Sequence, residues 1–349
     1  MALYQGRTGY AACLLLTLCY FITPTLARSY TQYQHFFPAW DPILQKQLLT
    51  PECTEPLSDY RNRSNPDHRL GYQVIDCILE TMPEFRKAEL GASVVILGLA
   101  PAVLQLMSAS YLDTAMLAFR RPGLAFLLSM ASSGVRPLGA GEYDSYIDTM
   151  GTEPFVTNFG KPDSSRIPAF VSALEYTVAV GAVVNNAYLT YQLSTWAVCT
   201  FAPGDDFLPA VWTAAAVAIH LFGYIAARLK VTVEEKTTDN HGRWSRLWAE
   251  FKPTPWQGRL VVKKENKHNG WFLVLVSALY IGDALQAFFG TLILSSLVFI
   301  SVRDSAIIVI RLTASALFAR GILIYELTAF STEKNKRNLS GMTLYTSIK

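Results

Sequence analysis

Long stretches of apolar residues alternate with polar connectors along most of the 349-residue chain. Five stretches are long enough to cross a hydrocarbon core of about 30 Å as helices that rise 1.5 Å per residue. They cover residues 90–111, 176–198, 207–227, 271–300 and 305–327. The pattern predicts an all-α fold: a multi-pass transmembrane helical bundle of about five spans within residues 90–327.

The composition supports this interpretation. Hydrophobic residues make up 51% of the chain and charged residues 16%, whereas roughly a quarter of a soluble domain is charged. The shortfall indicates surface that faces lipid, so membrane lipids are the expected partners, and an oligomer or a partner membrane protein is compatible with it. The formal net charge of +3 is too small to indicate a nucleic-acid partner.

The N-terminus has the features of a signal peptide over residues 1–27. Its apolar run, 11–22, is short for a membrane span, and small residues at Thr25 and Ala27 suit signal peptidase. The alternative is an uncleaved signal anchor. Either way, the sequence predicts entry into the secretory pathway and residence in the plasma membrane or an endomembrane.

A small polar segment, 28–89, follows and is expected to be lumenal or extracellular. It contains the glycosylation sequon that begins at Asn62. It also contains Cys53 and Cys77, which are candidates for a disulfide in an oxidising compartment. Two unpaired thiols are the alternative, and Cys199 would replace either partner if it also faced the lumen.

Two adjacent arginines interrupt an otherwise apolar stretch. Arg120, Arg121 and Pro122 lie in the middle of residues 114–135. A span through this stretch would bring both guanidinium groups near the bilayer centre, at about 2.5 to 3.5 kcal/mol each. Residues 112–138 are therefore predicted to form a re-entrant or interfacial hairpin that keeps the arginines among the lipid headgroups.

Charge in the connectors predicts the orientation. The connector 228–270 contains ten Lys and Arg residues, and 199–206 contains none. Because cytosolic loops are enriched in cations, residues 112–175, 228–270 and the tail 328–349 are predicted to be cytosolic. The connector 199–206 is then lumenal.

Ionisable residues inside membrane spans are functional candidates, because an unpaired charge is costly there. Asp283 lies near the middle of the fourth stretch and could carry a proton or a cation. We prefer a structural ion pair between Asp283 and Arg320 of the fifth stretch, with Gln286 one turn away extending the polar patch. Arg311 lies nearer the lumenal end, where its side chain could snorkel to the headgroups.

Three neutral polar residues lie in the second and third stretches. His220 could relay protons, and Asn186 shares a helix face with Glu175 that could line a polar path. For His220, Asn185 and Asn186 we prefer hydrogen bonds between packed helices. No metal site is expected, because His220 has no ligand partner one turn away and the chain has no Cys/His cluster.

Motifs of common enzymes are absent from the sequence. It contains no HExxH, GxSxG, DDxxD or Walker pattern, so we predict no catalytic residue and no cofactor. The first hypothesis is a non-catalytic scaffold, receptor-like or accessory membrane protein. A transporter or ion-conducting protein is the second, and a membrane-embedded enzyme acting on a hydrophobic substrate is the third.

One stretch, 96–137, carries a recognisable order of features. An LGLxP-type start is followed by an acidic residue, an RRP-type break and a second apolar stretch. The matching residues are Leu97, Gly98, Leu99, Pro101, Asp113, Arg120, Arg121 and Pro122. This order resembles a group of uncharacterised multi-pass membrane proteins of filamentous fungi. The resemblance implies a similar membrane layout and no particular activity.

Overall fold

The structure, a computed structural model, describes residues 31–62, 69–139, 142–143, 145, 166–234, 250–256, 260–264, 270–328 and 330–332. The predicted signal peptide and the tail beyond residue 332 lie outside these ranges. The described residues form ten α-helices, five short strands and one 3₁₀ turn.

The helices are α1 (Asp41–Leu48), α2 (Pro51–Arg61), α3 (Leu70–Thr81), α4 (Glu84–Met107), α5 (Tyr111–Ala118), α6 (Pro122–Met130), α7 (Arg166–Thr195), α8 (Leu208–Lys230), α9 (Gly270–Ser295) and α10 (Val302–Leu327). The strands are β1 (Val198–Cys199), β2 (Val231–Glu234), β3 (Leu260–Lys264), β4 (Leu297–Val298) and β5 (Phe330–Thr332), and the 3₁₀ turn covers Thr254–Trp256.

Five helices, α4, α7, α8, α9 and α10, are long and apolar enough to cross a membrane, and they pack together. The predicted all-α fold with five candidate spans is thus confirmed. Two boundaries differ from the apolar pattern. Helix α7 begins at Arg166 rather than near residue 176. Helix α9 ends at Ser295 rather than near residue 300, because Leu297 and Val298 form strand β4.

Large apolar side chains remain exposed along these helices. Leu106 and Phe170 are each 70% exposed and Ile310 is 66% exposed. In the most apolar 18-residue stretch of each helix, 22% of the stretch is buried in α7 and in α9, and 50% is buried in α8. Such apolar surface is unfavourable in water and favourable in hydrocarbon, so α8 is the inner helix of the five and the others present more surface to lipid.

The chain divides into two compact units. The first comprises residues 1–101, 187–214 and 288–310. Its core is built by α1, α2 and α3 around buried aromatic side chains that include Tyr33, Trp40 and Tyr60.

In the first unit, Cys53 and Cys77 form a disulfide bond. The Sγ atoms of Cys53 in α2 and Cys77 in α3 lie 2.08 Å apart, the length of a disulfide. Cys199 is a buried free thiol in β1, and its Sγ lies 3.0 Å from the Ser296 hydroxyl. Cys199 therefore does not replace either partner. Strand β1 pairs with β4 in an antiparallel ladder.

The second unit comprises residues 102–186, 215–287 and 311–349. The predicted hairpin forms here as α5 and α6, with its break at Arg120 and Arg121. Ser110 and Asp113 form a capping box at the start of α5. All residues from Tyr111 to Leu117 are buried. Protein therefore encloses α5 on all sides, and the interfacial depth of the hairpin stays a prediction.

A three-stranded sheet in the second unit is a feature that the apolar pattern does not predict. Strand β2 continues directly from α8 and pairs with β3 in antiparallel orientation. Strand β5 follows α10 and pairs with β3 in parallel. The sheet thus joins the ends of two spans to the connector between α8 and α9.

Helices α5 and α8 approach each other closely at Gly223. A Cβ atom added to this glycine would lie 2.7 Å from the Cβ and Cδ2 atoms of Tyr111. Real Cβ atoms do not tolerate such contacts, so Gly223 sets the distance at which α8 packs on α5.

We expect Gly223→Ala to destabilise the protein by about 1 to 3 kcal/mol, because the added methyl group overpacks the Tyr111 contact. Thermal unfolding in detergent measures the effect. Gly181→Ala on α7 is the matched control, since a Cβ there meets no atom within 4 Å. Equal unfolding temperatures for the two variants would show that the contact is not tight.

Candidate functional site: a buried charged cluster

Arg121 lies at the break between α5 and α6 and is completely buried. It directly precedes Pro122, which disfavours helical backbone at Arg121. The observed φ of −125° and ψ of 74° interrupt the helix and direct the chain back. A guanidinium group enclosed at such a break needs acceptors from neighbouring elements.

Two glutamates from different spans supply those acceptors. The Nη1 atom of Arg121 lies 2.5 Å from Oε2 of Glu175 in α7 and 2.7 Å from Oε1 of Glu326 in α10. Both glutamates are buried, Glu326 completely. One guanidinium group therefore ties the hairpin to two of the five long helices.

The other two nitrogen atoms of Arg121 are also engaged. Its Nη2 atom donates to the Ser172 hydroxyl at 2.7 Å, and its Nε atom donates to the backbone carbonyl of Glu250 at 2.8 Å. The ring of Tyr176 lies 5.4 Å from the guanidinium carbon, within the range of a cation–π contact. The guanidinium group thus contacts α7, α10 and the segment 250–256.

The segment 250–256 contributes acceptors and donors of its own. Oε2 of Glu326 accepts hydrogen bonds from the backbone N–H and the hydroxyl of Thr254. Oε1 of Glu250 accepts from the backbone N–H groups of Gly123 and Leu124. Those N–H groups belong to the first turn of α6, where a helix has no internal acceptors and favours negative charge.

We call Arg121, Ser172, Glu175, Glu250, Thr254 and Glu326 the Arg121 cluster. Burial lowers the pKa of Arg121, but the carboxylates of Glu326 and Glu175 raise it by more, so the pKa lies above its usual value. Arg121 is therefore a permanent cation in the cluster. Its chemistry is electrostatic attachment, because a charged guanidinium neither attacks substrates nor takes up protons.

Glu175 and Glu326 also contact each other within the Arg121 cluster. Oε2 of Glu175 binds Arg121, and the Glu175 side chain forms a hydrogen bond with Glu326. The oxygens of Glu326 also accept from Arg121 and Thr254. A hydrogen bond between two carboxyl groups requires a proton on one of them, so the two acids and Arg121 form one network.

That both arginines lie at the depth of the lipid headgroups stays a prediction. The Arg121 side chain is enclosed by protein and neutralised by buried acids, so it does not itself need contact with headgroups. Arg120 is half-buried. Glu326 is likewise enclosed, and it pairs with Arg121.

A second group of buried polar residues surrounds Asp283 in α9. Asp283 is 1% exposed, and neither of its carboxylate oxygens has a hydrogen-bond partner among the described residues. The amide of Gln105 donates to the backbone carbonyl of Asp283 at 3.3 Å. Asp283 is therefore a deeply buried carboxyl group, with the side chain of Gln105 as a contact.

The predicted pair between Asp283 and Arg320 does not form. Arg320 instead donates to the backbone carbonyl of Leu106 at 3.1 Å. Leu106 lies in the last turn of α4, where carbonyl groups have no partner within the helix and attract cations. The Leu106 carbonyl is thus the observed acceptor of Arg320.

Gln286 and Asn186 both support the turn that follows α6. Gln286 donates to the backbone carbonyl of Ser133 at 2.7 Å. Asn186 accepts from the Ser133 hydroxyl at 2.7 Å and donates to the backbone carbonyl of Met130 at 2.9 Å. The predicted structural hydrogen bonding of Asn186 is confirmed, with a non-helical turn as the main partner.

His220 and Asn185 also make hydrogen bonds between elements. Nδ1 of His220 lies 2.9 Å from the Thr114 hydroxyl of α5. Asn185 in α7 accepts from Nε of Arg311 at 2.9 Å and donates to the Ser315 hydroxyl at 2.8 Å. Arg311 thus contacts the neighbouring helix through Nε, and snorkelling of its side chain to the headgroups stays a prediction.

A shallow groove of about 270 Å³ lies between α7 and α10. Its lining residues are Val171, Leu174, Glu175, Val178, Gly321, Ile322 and Tyr325. Asp283, His220 and Asn186 do not line it. The polar residues singled out from the sequence thus do not converge on this groove, and Glu175 alone connects it to the Arg121 cluster.

Metal ligation finds no support in the described part of the chain. No group of three or more His, Cys, Asp or Glu residues there is placed to hold a metal ion. The acids of the Arg121 cluster face a guanidinium group instead, and His220 faces a hydroxyl group.

Sequence reasoning missed the acidic partners of Arg121. The available signal was charge balance: an arginine pair inside an apolar stretch requires acids, and Glu175 and Glu326 lie at the edges of two spans. Ser172 and Thr254 carry no such signal, because their types are common in any connector.

No protein-family model, curated protein or solved structure matches the chain. The resemblance of residues 96–137 to a fungal group therefore stays a prediction. The function of this membrane protein is inferred from its own residues.

We expect Arg121→Met to destabilise the protein by about 3 to 5 kcal/mol, because it leaves two buried carboxylates without their counter-charge. Thermal unfolding in detergent is the measurement. Arg303→Met, which alters an exposed arginine of α10, is the control and should unfold like the wild type.

A combined variant separates charge from packing. Adding Glu175→Gln and Glu326→Gln to Arg121→Met removes the uncompensated charges and should recover part of the lost stability. If the triple variant is less stable than Arg121→Met alone, the role assigned to charge balance is wrong.

Proposed function

We propose that the chain is a non-catalytic multi-pass membrane protein of the secretory pathway that acts as a scaffold, receptor-like or accessory component. The observation that carries this proposal is the Arg121 cluster. It fastens the connector segment 250–256 to the hairpin and to two spans through buried charged contacts. A fastened connector suits a protein that presents a defined surface to partners.

The use of the other buried polar groups supports the proposal. Gln286 and Asn186 hold the turn after α6, His220 contacts α5, and Asn185 joins Arg311. These side chains are engaged in holding elements together. A transport path would require several of them to face a shared water-filled space.

The division of the chain into two compact units supports the prediction that successive connectors alternate between the two sides of the membrane. The connectors predicted to be lumenal, 28–89 and 199–206, belong to the first unit. Those predicted to be cytosolic, 112–175 and 228–270, belong to the second. Segments assigned to one side of the membrane thus cluster together.

The lumenal assignment of the first unit rests on three features. The Cys53–Cys77 disulfide is stable in oxidising compartments. Asn62 is exposed at the end of α2, where an oligosaccharide has room. The proposed signal peptide would direct this segment across the membrane, after which the spans alternate.

We expect Asn62, and not Asn338, to carry an oligosaccharide. On expression in a eukaryotic host, glycosidase treatment should shift the wild type and Asn338→Gln on a gel, and it should leave Asn62→Gln unchanged. A shift that disappears in Asn338→Gln would invert the proposed orientation.

One observation favours a second candidate, transport of protons or cations. Asp283 is buried in the middle of α9, and its carboxylate oxygens have no hydrogen-bond partner in the described part of the chain. Such a group is the kind of intramembrane acid that binds protons or cations in transporters. The membrane-enzyme hypothesis has no comparable support, because the groove between α7 and α10 is not lined by Asp283 or His220.

A flux assay separates the two candidates. We expect liposomes containing the purified protein to pass protons, Na⁺ and K⁺ no faster than empty liposomes, as a non-conducting bundle should. Flux that is saturable and lost in Asp283→Asn would overturn the scaffold proposal in favour of transport. Asp76→Asn, which makes the same change at an exposed acid of α3, is the control and should leave any flux unchanged.

A further inference from the structure

Helix α1 in the first unit is fastened at both ends to the starts of membrane helices. The backbone N–H of Ala39, just before α1, donates to Oδ2 of Asp304 in the first turn of α10 at 3.2 Å. At the other end of α1, the amide of Gln47 donates to the backbone carbonyl of Thr81 at 3.3 Å, shortly before α4 begins. Helix α1 is only about 12 Å long. It therefore lies along the level at which α4 and α10 enter the bilayer.

The rest of the first unit also adjoins the ends of the spans. Oε1 of Glu89 in α4 accepts from the backbone N–H of Val302 at the start of α10 at 3.3 Å. Leu90, where the apolar stretch of α4 begins, packs against the core built by α1, α2 and α3. The rings of Phe37 and Trp196 lie 5.6 Å apart, and Trp196 directly follows α7. No polar spacer thus separates this core from the membrane helices.

The outward face of α1 combines apolar side chains with one cation. Leu44 and Leu48 point into the core and are buried. Pro42, Lys46 and Leu49 follow one another at helical spacing on the opposite face, and all three are exposed. Leu49 is 79% exposed. A lysine with an apolar stem beside an exposed leucine suits the boundary between lipid headgroups and acyl chains.

Helix α2 has an outward face of the opposite kind. Its exposed residues include the acids Glu52, Glu55 and Asp59, against the single cation Arg61. Lipid phosphates repel such a face, whereas they attract the ammonium group of Lys46. Of the two helices, α1 is therefore the one suited to face the membrane surface, and α2 the one suited to face water.

The lipid-facing surface of α4 continues to the edge where α1 ends. Val95 and Leu99 are 61% and 60% exposed, and Phe85 in the first turn is 67% exposed. Phe85 precedes Leu90 by a helix rise of about 7.5 Å, which is the depth of the headgroup layer and not of the hydrocarbon. An exposed phenylalanine at that depth is stabilised by contact with lipid. Since the last turn of α1 contacts the chain just before α4, Leu49 belongs to the same edge.

We propose that α1 lies in the headgroup layer of the bilayer, with Leu49 and Phe85 inserted toward the acyl chains and the ammonium group of Lys46 against lipid phosphate. The partner of this face is a lipid surface, so the polar segment before α4 contacts the membrane along one helix. The inference is independent of the proposed function and of which side of the membrane the first unit occupies. It requires only that α4 and α10 cross the bilayer.

The test measures the depth of Leu49 by spin labelling of the full-length protein in phosphatidylcholine liposomes. Every cysteine outside the Cys53–Cys77 disulfide is replaced by alanine, and Leu49→Cys supplies one thiol for a nitroxide. Collisions of the nitroxide with O₂, which concentrates in hydrocarbon, are compared with its collisions with a water-soluble nickel chelate. Because Leu49 is exposed, the label needs no space inside the core.

Two reference positions calibrate the measurement. Val95→Cys on the lipid-facing side of α4 reports hydrocarbon, and Glu55→Cys on α2 reports water. The ratio of O₂ collisions to nickel collisions at Leu49→Cys should be several-fold higher than at Glu55→Cys and lower than at Val95→Cys. Pro42→Cys, at the other end of the same face, should also exceed Glu55→Cys, because the whole helix lies in the headgroup layer.

A second measurement uses the wild-type chain. Phosphatidylcholine with a photoreactive group in its headgroup should label the peptide containing residues 42–49 and spare the peptide containing residues 52–59. A collision ratio at Leu49→Cys equal to that at Glu55→Cys would overturn the proposal, and so would equal labelling of the two peptides. Since the crosslinking requires no substitution, the proposal is decided even if a labelled variant fails to fold.

Discussion

The enclosure of one guanidinium group by two carboxylates is the constraint on which the second unit depends. Arg121 has no exposed surface, and a bare cation in such surroundings would cost many kcal/mol. The hairpin therefore adopts its observed form only with α7 and α10 alongside to supply Glu175 and Glu326. In turn, both acids are tolerable inside the protein only because Arg121 is there. The same contact draws in the segment 250–256, whose Thr254 completes the coordination of Glu326. Buried charge thus specifies which elements meet, although it adds less to stability than an apolar core of the same size would.

Lipid takes the place of water as the solvent of this fold, and that substitution explains where polar side chains lie. The outer faces of the long helices keep large apolar residues such as Phe170 and Ile310 exposed. Apolar burial therefore does little to select one helix neighbour over another. Hydrogen bonds and close glycine contacts supply that selection, as Asn185 does with Arg311 and Gly223 does with Tyr111. The last residue of α6 and the turn after it have carbonyl groups without helical partners, and Asn186 and Gln286 satisfy one in each. Polar residues inside the spans thus mark non-helical backbone at least as often as they mark chemistry.

Features carried by local pattern could be predicted from the sequence, and features carried by distant partners could not. The five long helices follow from apolar stretches alone, and the Cys53–Cys77 bond follows from two cysteines in one polar segment. The partner of Arg320 was wrongly predicted, because the carbonyl of Leu106 at the end of α4 is invisible in a list of side chains. The partners of Arg121 lie 54 and 205 residues away along the chain, and periodicity says nothing about such pairs. The sheet formed by β2, β3 and β5 was missed for the same reason: its strands come from three separate connectors.

Two buried carboxyl groups meet the cost of burial in different ways. Asp283 lies in apolar surroundings with the side chain of Gln105 as its contact. An acid so placed avoids the cost of burial most simply by binding a proton. Glu175 instead lies between Arg121 and Glu326, and its side chain hydrogen-bonds both. Two adjacent acids and one guanidinium group are balanced in charge when the acids share a single proton. The burial of Glu175 is therefore compensated by partners within the Arg121 cluster, whereas the burial of Asp283 depends on a proton of its own.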